Sequence, residues 1–469
     1  MEEYRLLIGG RLVAGTRYAP VINPATEEVI ANYPIASVEQ LNEAVAAAKA
    51  AFPVWSRTPM QERRDAVRAI AGRLEAHLTE MMRLVTLESG KPLWFSEFEV
   101  REHSLGMVRA LSNPTLPVRV LEDGAERRVE VRHRPLGVVA AIIPWNFPMT
   151  AIIAKLVPAL LVGNTVVLKP APTTPLSALK FGALVADLFP PGVVNIIADA
   201  DDLGDAISGH PDIAMVTFTG STRTGKRVFA RAAETVKRLT LELGGNDAAI
   251  VLDDADPAKI GPAVFAAAFA NNGQACIAIK RLYVHDSVYE PMCTELAKLA
   301  DAAVIGDGLE PGTQFGPLQN RKQFERVLSL LEEAKTRGKI IAGGEALNRR
   351  GYFIRPTIVR DIAEGTRLVD EEQFGPILPV IRYSDVEDAV RRANATPFGL
   401  GGSVWSASTE RAAEFAARLE CGMSWVNQHL DFHYEMPYGG AKQSGIGMEL
   451  GGAEGLAEFT QYHVLDIAR

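Results

Sequence analysis

One cysteine and one glutamate are the residues best set for chemistry. The stretch Asn271-Asn272-Gly273-Gln274-Ala275-Cys276-Ile277-Ala278-Ile279-Lys280-Arg281 puts a thiol among small and amide residues, after a helix-like apolar run and before the strand-like Leu282-Tyr283-Val284. A thiol so placed can act as a nucleophile when nearby charge or dipoles favour the thiolate, since free cysteine has a pKa of about 8.5. Upstream by 34 residues, Leu239-Thr240-Leu241-Glu242-Leu243-Gly244-Gly245-Asn246 ends an apolar strand in an acid followed by two glycines. An acid on such a turn is a candidate general base, because glycine lets backbone and ligand approach closely. Plainer readings stand beside these. A lone cysteine is commonly a small buried apolar group, and a strand-end glutamate is commonly solvated or ion-paired.

Five further motifs fall along the chain: Pro144-Trp145-Asn146-Phe147-Pro148, Lys169-Pro170, Phe218-Thr219-Gly220-Ser221, Glu372-Gln373-Phe374-Gly375-Pro376 and Gly439-Gly440-Ala441-Lys442-Gln443-Ser444-Gly445. Each alone is weak. Together with Cys276 and Glu242, in this order and at this spacing, they resemble the aldehyde dehydrogenase superfamily. Its members are NAD(P)-dependent enzymes that oxidise aldehydes to acids through a thiohemiacetal on cysteine. The resemblance runs from Ile22-Asn23-Pro24-Ala25-Thr26 to the end of the sequence.

The resemblance implies roles residue by residue. Cys276 is the nucleophile, and its own N–H with the Asn146 amide holds the developing oxyanion. Glu242 activates the water that hydrolyses the thioester, which favours release of a free acid over transfer to coenzyme A. Lys155 and Glu449 match positions that contact this base and relay its proton; on sequence alone Lys155 also reads as a lysine snorkelling from an apolar helix. For the dinucleotide, Ser221 matches a pyrophosphate contact at a helix N-terminus, where free N–H groups and the dipole suit an anion. Lys169 matches an adenine-ribose contact, and Glu372 and Phe374 match residues at the nicotinamide ribose and ring. Trp145, Gly220 and Gly244 are assigned to the same site. No G-x-G-x-x-G is present. At Pro172 many relatives carry a glutamate that holds the ribose hydroxyls and repels a 2′-phosphate, so NAD is expected with NADP possible. Met149, Thr150, Ile153, Ala154, Ala275, Ile277, Phe432, His433 and Tyr438 are expected to line the substrate channel. Ala154 replaces a tryptophan of several relatives, which suggests a medium or bulky aliphatic or aromatic aldehyde. The spacing His429-x-x-x-His433 lacks the glutamate of a zinc-binding helix, and no metal is expected.

These residues need elements to hold them. Ser37-Val38-Glu39-Gln40 is a capping box that opens a helix through about Phe52, and Pro59 suits the first turn of the next. Val67, Ile70, Leu74, Leu78, Met81 and Val85 form one buried stripe of a single second helix, which Gly90-Lys91-Pro92 stops. A further helix is expected from Trp94 to Leu111. Residues 118–132 alternate apolar and polar about Asp123-Gly124, the signal of a hairpin. From Gly137, β-branched strands at 138–143, 165–168, 193–197 and 213–218 alternate with helices, and a second alternating region runs from about Gly244 to Gly440. The fold class is therefore α/β, with two doubly wound, parallel-sheet, Rossmann-like domains; the resemblance implies that the hairpin, with the C-terminal strand near Phe459 to Ile467, adds a small β oligomerisation arm. The expected division is 1–116 with 136–243 for the dinucleotide, 244–443 for the thiol, and 117–135 with 455–469 for the arm. The active site is expected in the cleft between the two larger domains.

Bulk properties narrow the class. A chain of 469 residues exceeds the roughly 250–300 at which single cores stop growing. It has no apolar run near the roughly 20 residues that span a bilayer. Its acidic start, Met1-Glu2-Glu3, lacks a signal peptide's basic region. Three cysteines and no paired spacing fit a reducing compartment, so a cytoplasmic enzyme without a membrane partner is expected. A net charge of −8 argues against nucleic acid. The expected partners are a small aldehyde and further copies of the chain, as a homodimer or homotetramer. Two competing readings are a thiol esterase using Cys276 and Glu242, and an inactive ligand-binding relative.

Overall fold

A computed structural model describes residues 3–431 and 433–469. Phe432, one of the residues expected at the substrate channel, lies outside them. The larger sheet runs in space Arg11–Val13, Leu6–Ile8, Val194–Ile196, Thr165–Lys169, Val138–Ile142, Met215–Thr219, Arg238–Glu242, Gly445–Ile446. The five strands from Val194–Ile196 to Arg238–Glu242 are parallel to their neighbours, and antiparallel strands close both edges. Strand order reverses between Val138–Ile142 and Met215–Thr219, the switch point at which loops from neighbouring strands diverge and leave a crevice. Every residue of Val138–Ile142 and Thr165–Lys169 is buried, as a sheet covered by helices on both faces requires.

The second sheet is ordered Lys339–Ala342, Thr357–Arg360, Ile377–Tyr383, Ile279–His285, Asp247–Val251, Gly401–Trp405, Met423–Val426. Only Lys339–Ala342 is antiparallel to its neighbour. A third, antiparallel sheet joins Arg119–Asp123, Arg127–Pro135 and Thr460–Ala468, so the hairpin leans on the C-terminal strand. It leaves Val120, Leu121, Tyr462 and Val464 exposed on this chain.

The capping box forms: Gln40 N–H donates to Ser37 Oγ and Ser37 N–H to Gln40 Oε1, each at 3.2 Å, opening the helix Val38–Trp55. Two helix expectations are corrected. The apolar stripe from Val67 to Val85 is buried throughout, yet it belongs to two helices, Met60–Ala76 and Leu78–Ser89, broken at His77 (φ −115°, ψ 19°). The stripe keeps its spacing across the bend, so periodicity alone does not reveal it. The segment expected as one helix from Trp94 contains a π-helical stretch, Phe98–Leu105, between the α-helical Leu93–Glu97 and Gly106–Leu111. Gly90 ends the helix before it at φ 78°, a left-handed cap in which a side chain would also meet Pro24 and Pro317 at 2.7 Å.

Replacing Ser37 with alanine removes the hydroxyl half of the capping box and should lower stability by about 1 kcal/mol, read as a shift in the chemical-denaturation midpoint; an unchanged midpoint would contradict the cap's contribution.

Candidate active site at the carboxyl edge of the larger sheet

Four adjacent parallel strands bring the predicted residues to one edge. Lys169 ends Thr165–Lys169, and the loop after Val138–Ile142 carries Trp145 and Asn146. Gly220 and Ser221 follow Met215–Thr219, and Glu242 ends Arg238–Glu242. The thiol arrives from the second sheet, on the loop before Ile279–His285.

That loop has an unusual entry. Asn271, Asn272 and Gly273 all have positive φ, turning the chain sharply out of the helix Pro257–Phe269. Asparagine tolerates this conformation better than most residues, and side-chain bonds hold it. Asn271 Nδ2 donates to the Asn146 carbonyl at 3.1 Å, and Asn272 Nδ2 to the Gly316 carbonyl at 2.9 Å. Asn146 in turn donates from Nδ2 to the Gln274 carbonyl at 2.9 Å. The expected oxyanion amide and the thiol loop are thus fastened to each other. One N–H of the Asn146 amide is spent on that bond, and its second remains for a ligand.

Cys276 Sγ lies 3.1 Å from the Tyr438 hydroxyl. The thiol is raised to about 11 because burial, with Asp247 and Glu372 on its side, outweighs the downward pull of the Tyr438 contact and the Lys280 charge. Tyr438, expected as a channel wall, is therefore a polar neighbour of the nucleophile. Its own hydroxyl is raised well above the ordinary phenol value by burial, then by Cys276 and Glu242, which places both near one oxygen.

Glu242 is buried, and neither carboxylate oxygen has a hydrogen-bond partner among the described residues. Burial and the Glu449 charge raise it well above the usual carboxylate range, against the pull of Lys155. Lys155 sits fully buried on the helix Pro148–Leu161, ion-paired with Glu449 and donating to Thr217 Oγ1 at 3.1 Å. Thr217 donates to the same Glu449 oxygen at 3.2 Å. The snorkelling alternative for Lys155 does not hold, because its ammonium ends inside the protein. Glu449 and Tyr438 are directly opposed in a two-stranded ladder, so the thiol's neighbour and the base's neighbour share one support.

The residues expected at a dinucleotide are held by the protein's own contacts. Ser221 is exposed at the N-terminus of the helix Thr222–Ala232, where it accepts from Thr224 N–H at 3.3 Å. Glu372 Oε1 accepts from Gly245 N–H at 3.0 Å, and a side chain at Gly244 would meet Glu372 Oε2 at 2.3 Å. A side chain at Gly245 would meet the Cys276 carbonyl oxygen at 2.7 Å, so the double glycine packs against both Glu372 and the thiol loop. Phe374, at φ 49°, is edge-on to Trp145 with ring centres 5.3 Å apart. Gln323 Nε2 fixes that turn by donating to the Gln373 and Phe374 carbonyls at 2.9 Å. Lys169 Nζ reaches Asp199 Oδ1 at 2.6 Å, and Pro172 stands half-buried in the following loop.

The channel expectations divide. Thr150 is half-buried, and Ala275, Ile277 and Ala154 are nearly enclosed. Met149 and Ile153 have no accessible surface and pack in the core, so neither presents a wall to a channel: the helix is covered on every side except at Thr150. His433 is exposed, and no contact joins its side chain to the thiol. His429 places both ring nitrogens in protein contacts, with the Ile277 carbonyl at 2.7 Å and Ser403 Oγ at 2.9 Å, and burial pushes it down to about 3. It braces the thiol loop.

Two lysines went unnoticed in the sequence. Lys91, which reads there as a residue of a helix stop, is buried against Glu99, donates to the Asn146 carbonyl at 2.7 Å and lies over the Phe147 ring at 4.3 Å. Glu99 Oε1 accepts the Met149 N–H at 2.9 Å, satisfying an orphan donor at the start of the helix after Asn146. Lys280 donates to the carbonyls of Ala275 at 2.5 Å and Cys276 at 3.2 Å, and sits 5.6 Å from the Phe374 ring centre. Nothing in local sequence marks either one, since lysine is rarely fully buried. Lys280→Met should raise the pH at which Cys276 alkylates and slow alkylation by iodoacetamide at neutral pH about tenfold, the equivalent of one pKa unit; an unmoved pH profile would show that the lysine charge does not act on the thiol.

Residues 13–465 match the sequence pattern of the aldehyde dehydrogenase family. A probable aldehyde dehydrogenase of a Pseudomonas species is 41% identical over 98% of this chain and 93% of its own length. The phenylacetaldehyde dehydrogenase of Pseudomonas fluorescens is 38% identical over 96% of this chain and 93% of its own. The NAD+ complex of a Bacillus cereus aldehyde dehydrogenase superposes with a TM-score of 0.97 at 36% identity, covering 100% of this chain and 97% of that one. A near-complete match in sequence and fold, together with a thiol, a buried acid and an amide gathered at one sheet edge, establishes that the chain belongs to the aldehyde dehydrogenase family.

Proposed function

We propose that the protein oxidises an aldehyde to a free carboxylic acid with NAD, through a thioester on Cys276. The observation that carries this reading is the buried, unpartnered carboxylate of Glu242, which with the Cys276 thiol acts on the one Tyr438 hydroxyl, while the Asn146 amide is bonded to the thiol loop. Cys276 as thiolate adds to the aldehyde carbon, and the oxygen takes up negative charge. The free N–H of Asn146 and the Cys276 backbone N–H receive it. A bound nicotinamide supplies the hydride acceptor. The resulting thioester needs water, and Glu242 takes the proton from that water as it attacks the acyl carbon. The acid leaves, the thiol is restored, and the proton departs toward the Lys155, Glu449 and Thr217 cluster.

The NAD assignment is supported by the Bacillus cereus complex and by the fit of Ser221, Lys169, Glu372 and Phe374 to a dinucleotide lying along the carboxyl edge. A medium or bulky apolar aldehyde, aliphatic or aromatic, suits the rings around the start of the Asn146 helix. Phe147 packs edge-on to Phe95, Phe95 stacks on Phe98, and Tyr434 packs against His103. The phenylacetaldehyde enzyme's name points the same way. The two sheets are assigned to dinucleotide and thiol units, and the three-stranded sheet, with its exposed Leu121, Tyr462 and Val464, to pairing of copies into a homodimer or homotetramer.

Cys276→Ala should abolish reduced-nicotinamide formation by about a thousandfold or more while NAD still binds. Glu242→Gln should retain a first-turnover burst and lose steady-state rate by about a hundredfold or more, separable by stopped-flow absorbance. The steady-state rate of the unaltered enzyme should climb with pH above the usual carboxylate range, because a base raised by burial stays protonated there and ionises only at higher pH. Normal turnover in the cysteine variant would overturn the mechanism; loss of the burst in the glutamine variant would place Glu242 before hydride transfer.

A further inference from the structure

We propose that Asp199 is the residue that makes this enzyme select NAD over NADP, taking over from the neighbouring strand the repulsive role that Pro172 cannot perform. The proposal deepens the cofactor assignment above and rests on Lys169 being the adenine-ribose contact.

Pro172 carries no charge, so the loop after Thr165–Lys169 has nothing of its own to repel a 2′-phosphate. Val194–Ile196 lies beside Thr165–Lys169 in the sheet, and the chain leaving it brings Asp199 to Lys169, with Oδ1 at 2.6 Å from Nζ. The lysine also donates to the Pro170 carbonyl at 3.3 Å. The cation at the expected ribose position is therefore already neutralised. A 2′-phosphate placed there would meet a paired ammonium with a carboxylate behind it, whereas a 2′-hydroxyl asks for no net charge.

Asp199 is also firmly placed. Its Oδ2 accepts from Leu203 N–H at 3.0 Å, its carbonyl accepts from the Tyr33 hydroxyl at 3.0 Å, and the Ala198 carbonyl before it accepts from Ala36 N–H at 2.8 Å. The loop that it begins carries two more acids, Asp201 and Asp202, both exposed; Arg17 pairs with Asp202 at 2.6 Å. The field of this loop is felt at Tyr33, whose hydroxyl is raised to about 12 by burial and then by Asp199, Asp202 and Asp201. At the end of Thr165–Lys169 the cation is Lys169, and it is held by Asp199.

Calorimetric binding of NAD and of NADP to the full-length protein tests this without turnover, using the unaltered chain, Asp199→Asn, Asp199→Glu and Lys169→Met, with thermal melts to establish folding. The unaltered enzyme should bind NAD more tightly. Asp199→Asn keeps the size and removes the charge, and should narrow the ratio of the two dissociation constants about tenfold, mainly by tightening NADP. Asp199→Glu keeps the charge and should preserve the ratio. Equal affinities in the unaltered chain, or Asp199→Asn weakening both cofactors equally, would overturn the proposal and leave Asp199 a purely structural partner of Lys169. Lys169→Met should weaken NAD binding. If it leaves both constants unchanged, the ribose assignment itself fails and the proposal falls with it; if it weakens NAD while Asp199→Asn leaves the ratio fixed, only the role given to Asp199 is wrong.

Discussion

A carboxylate held out of water without a hydrogen bond is the costly feature around which this site is built. Glu242 could have been satisfied by a backbone amide or an arginine, and either would have lowered its basicity and blocked approach to water. Instead the chain pairs the nearby cation, Lys155, with a second acid, Glu449, and lets Thr217 complete the cluster. Glu242 is left with the field of an ion pair and, among the described residues, no direct partner. Burying three ionisable groups is expensive unless each has a function or a partner, and only Glu242 lacks the partner.

The thiol poses the opposite problem. Burial favours the protonated form of Cys276, and a cation and a hydroxyl reduce that penalty without cancelling it. Lys280 reaches the loop through its carbonyls, and Tyr438 reaches the sulfur itself. Two bonds hold the surrounding loops in place: Asn146 to the Gln274 carbonyl ties the loop after Val138–Ile142 to the thiol loop, and the Gly245 amide to Glu372 ties the glycine turn to the turn before Phe374. A small slip of either loop would separate the Asn146 amide from the thiol loop, or Glu372 from the glycine turn. Positioning of this kind is where much of an enzyme's rate resides.

Much of this was legible in the sequence. Alternation of β-branched strands with helices fixes a parallel sheet, and a parallel sheet fixes the edge where loops gather; Lys169, Asn146, Ser221 and Glu242 all stand there. What stayed hidden depends on burial of residues that ordinarily face water. Lys91 looks like a surface charge until the Asn146 carbonyl, distant in sequence, is brought near, and Lys280 looks like one until the loop just before it turns the Ala275 and Cys276 carbonyls onto its ammonium. Asp199 looks like one of several acids in a loop until the adjacent strand delivers Lys169. Met149 and Ile153 were misjudged for a related reason: a helix apolar on nearly every side does not announce which positions face a cleft. The π-helical turn at Phe98–Leu105 leaves no periodic signature, yet Glu99, on which the Asn146 helix is capped, lies within it.

The central claim is that the acyl group passes through Cys276. Its most direct test is to mix enzyme, NAD and an aromatic aldehyde such as benzaldehyde, quench in acid within the first turnover, and measure the mass of the peptide carrying Cys276. The account predicts an added acyl group on that peptide that decays as the acid appears. Reduced nicotinamide accumulating at full rate with Cys276 never modified would contradict it.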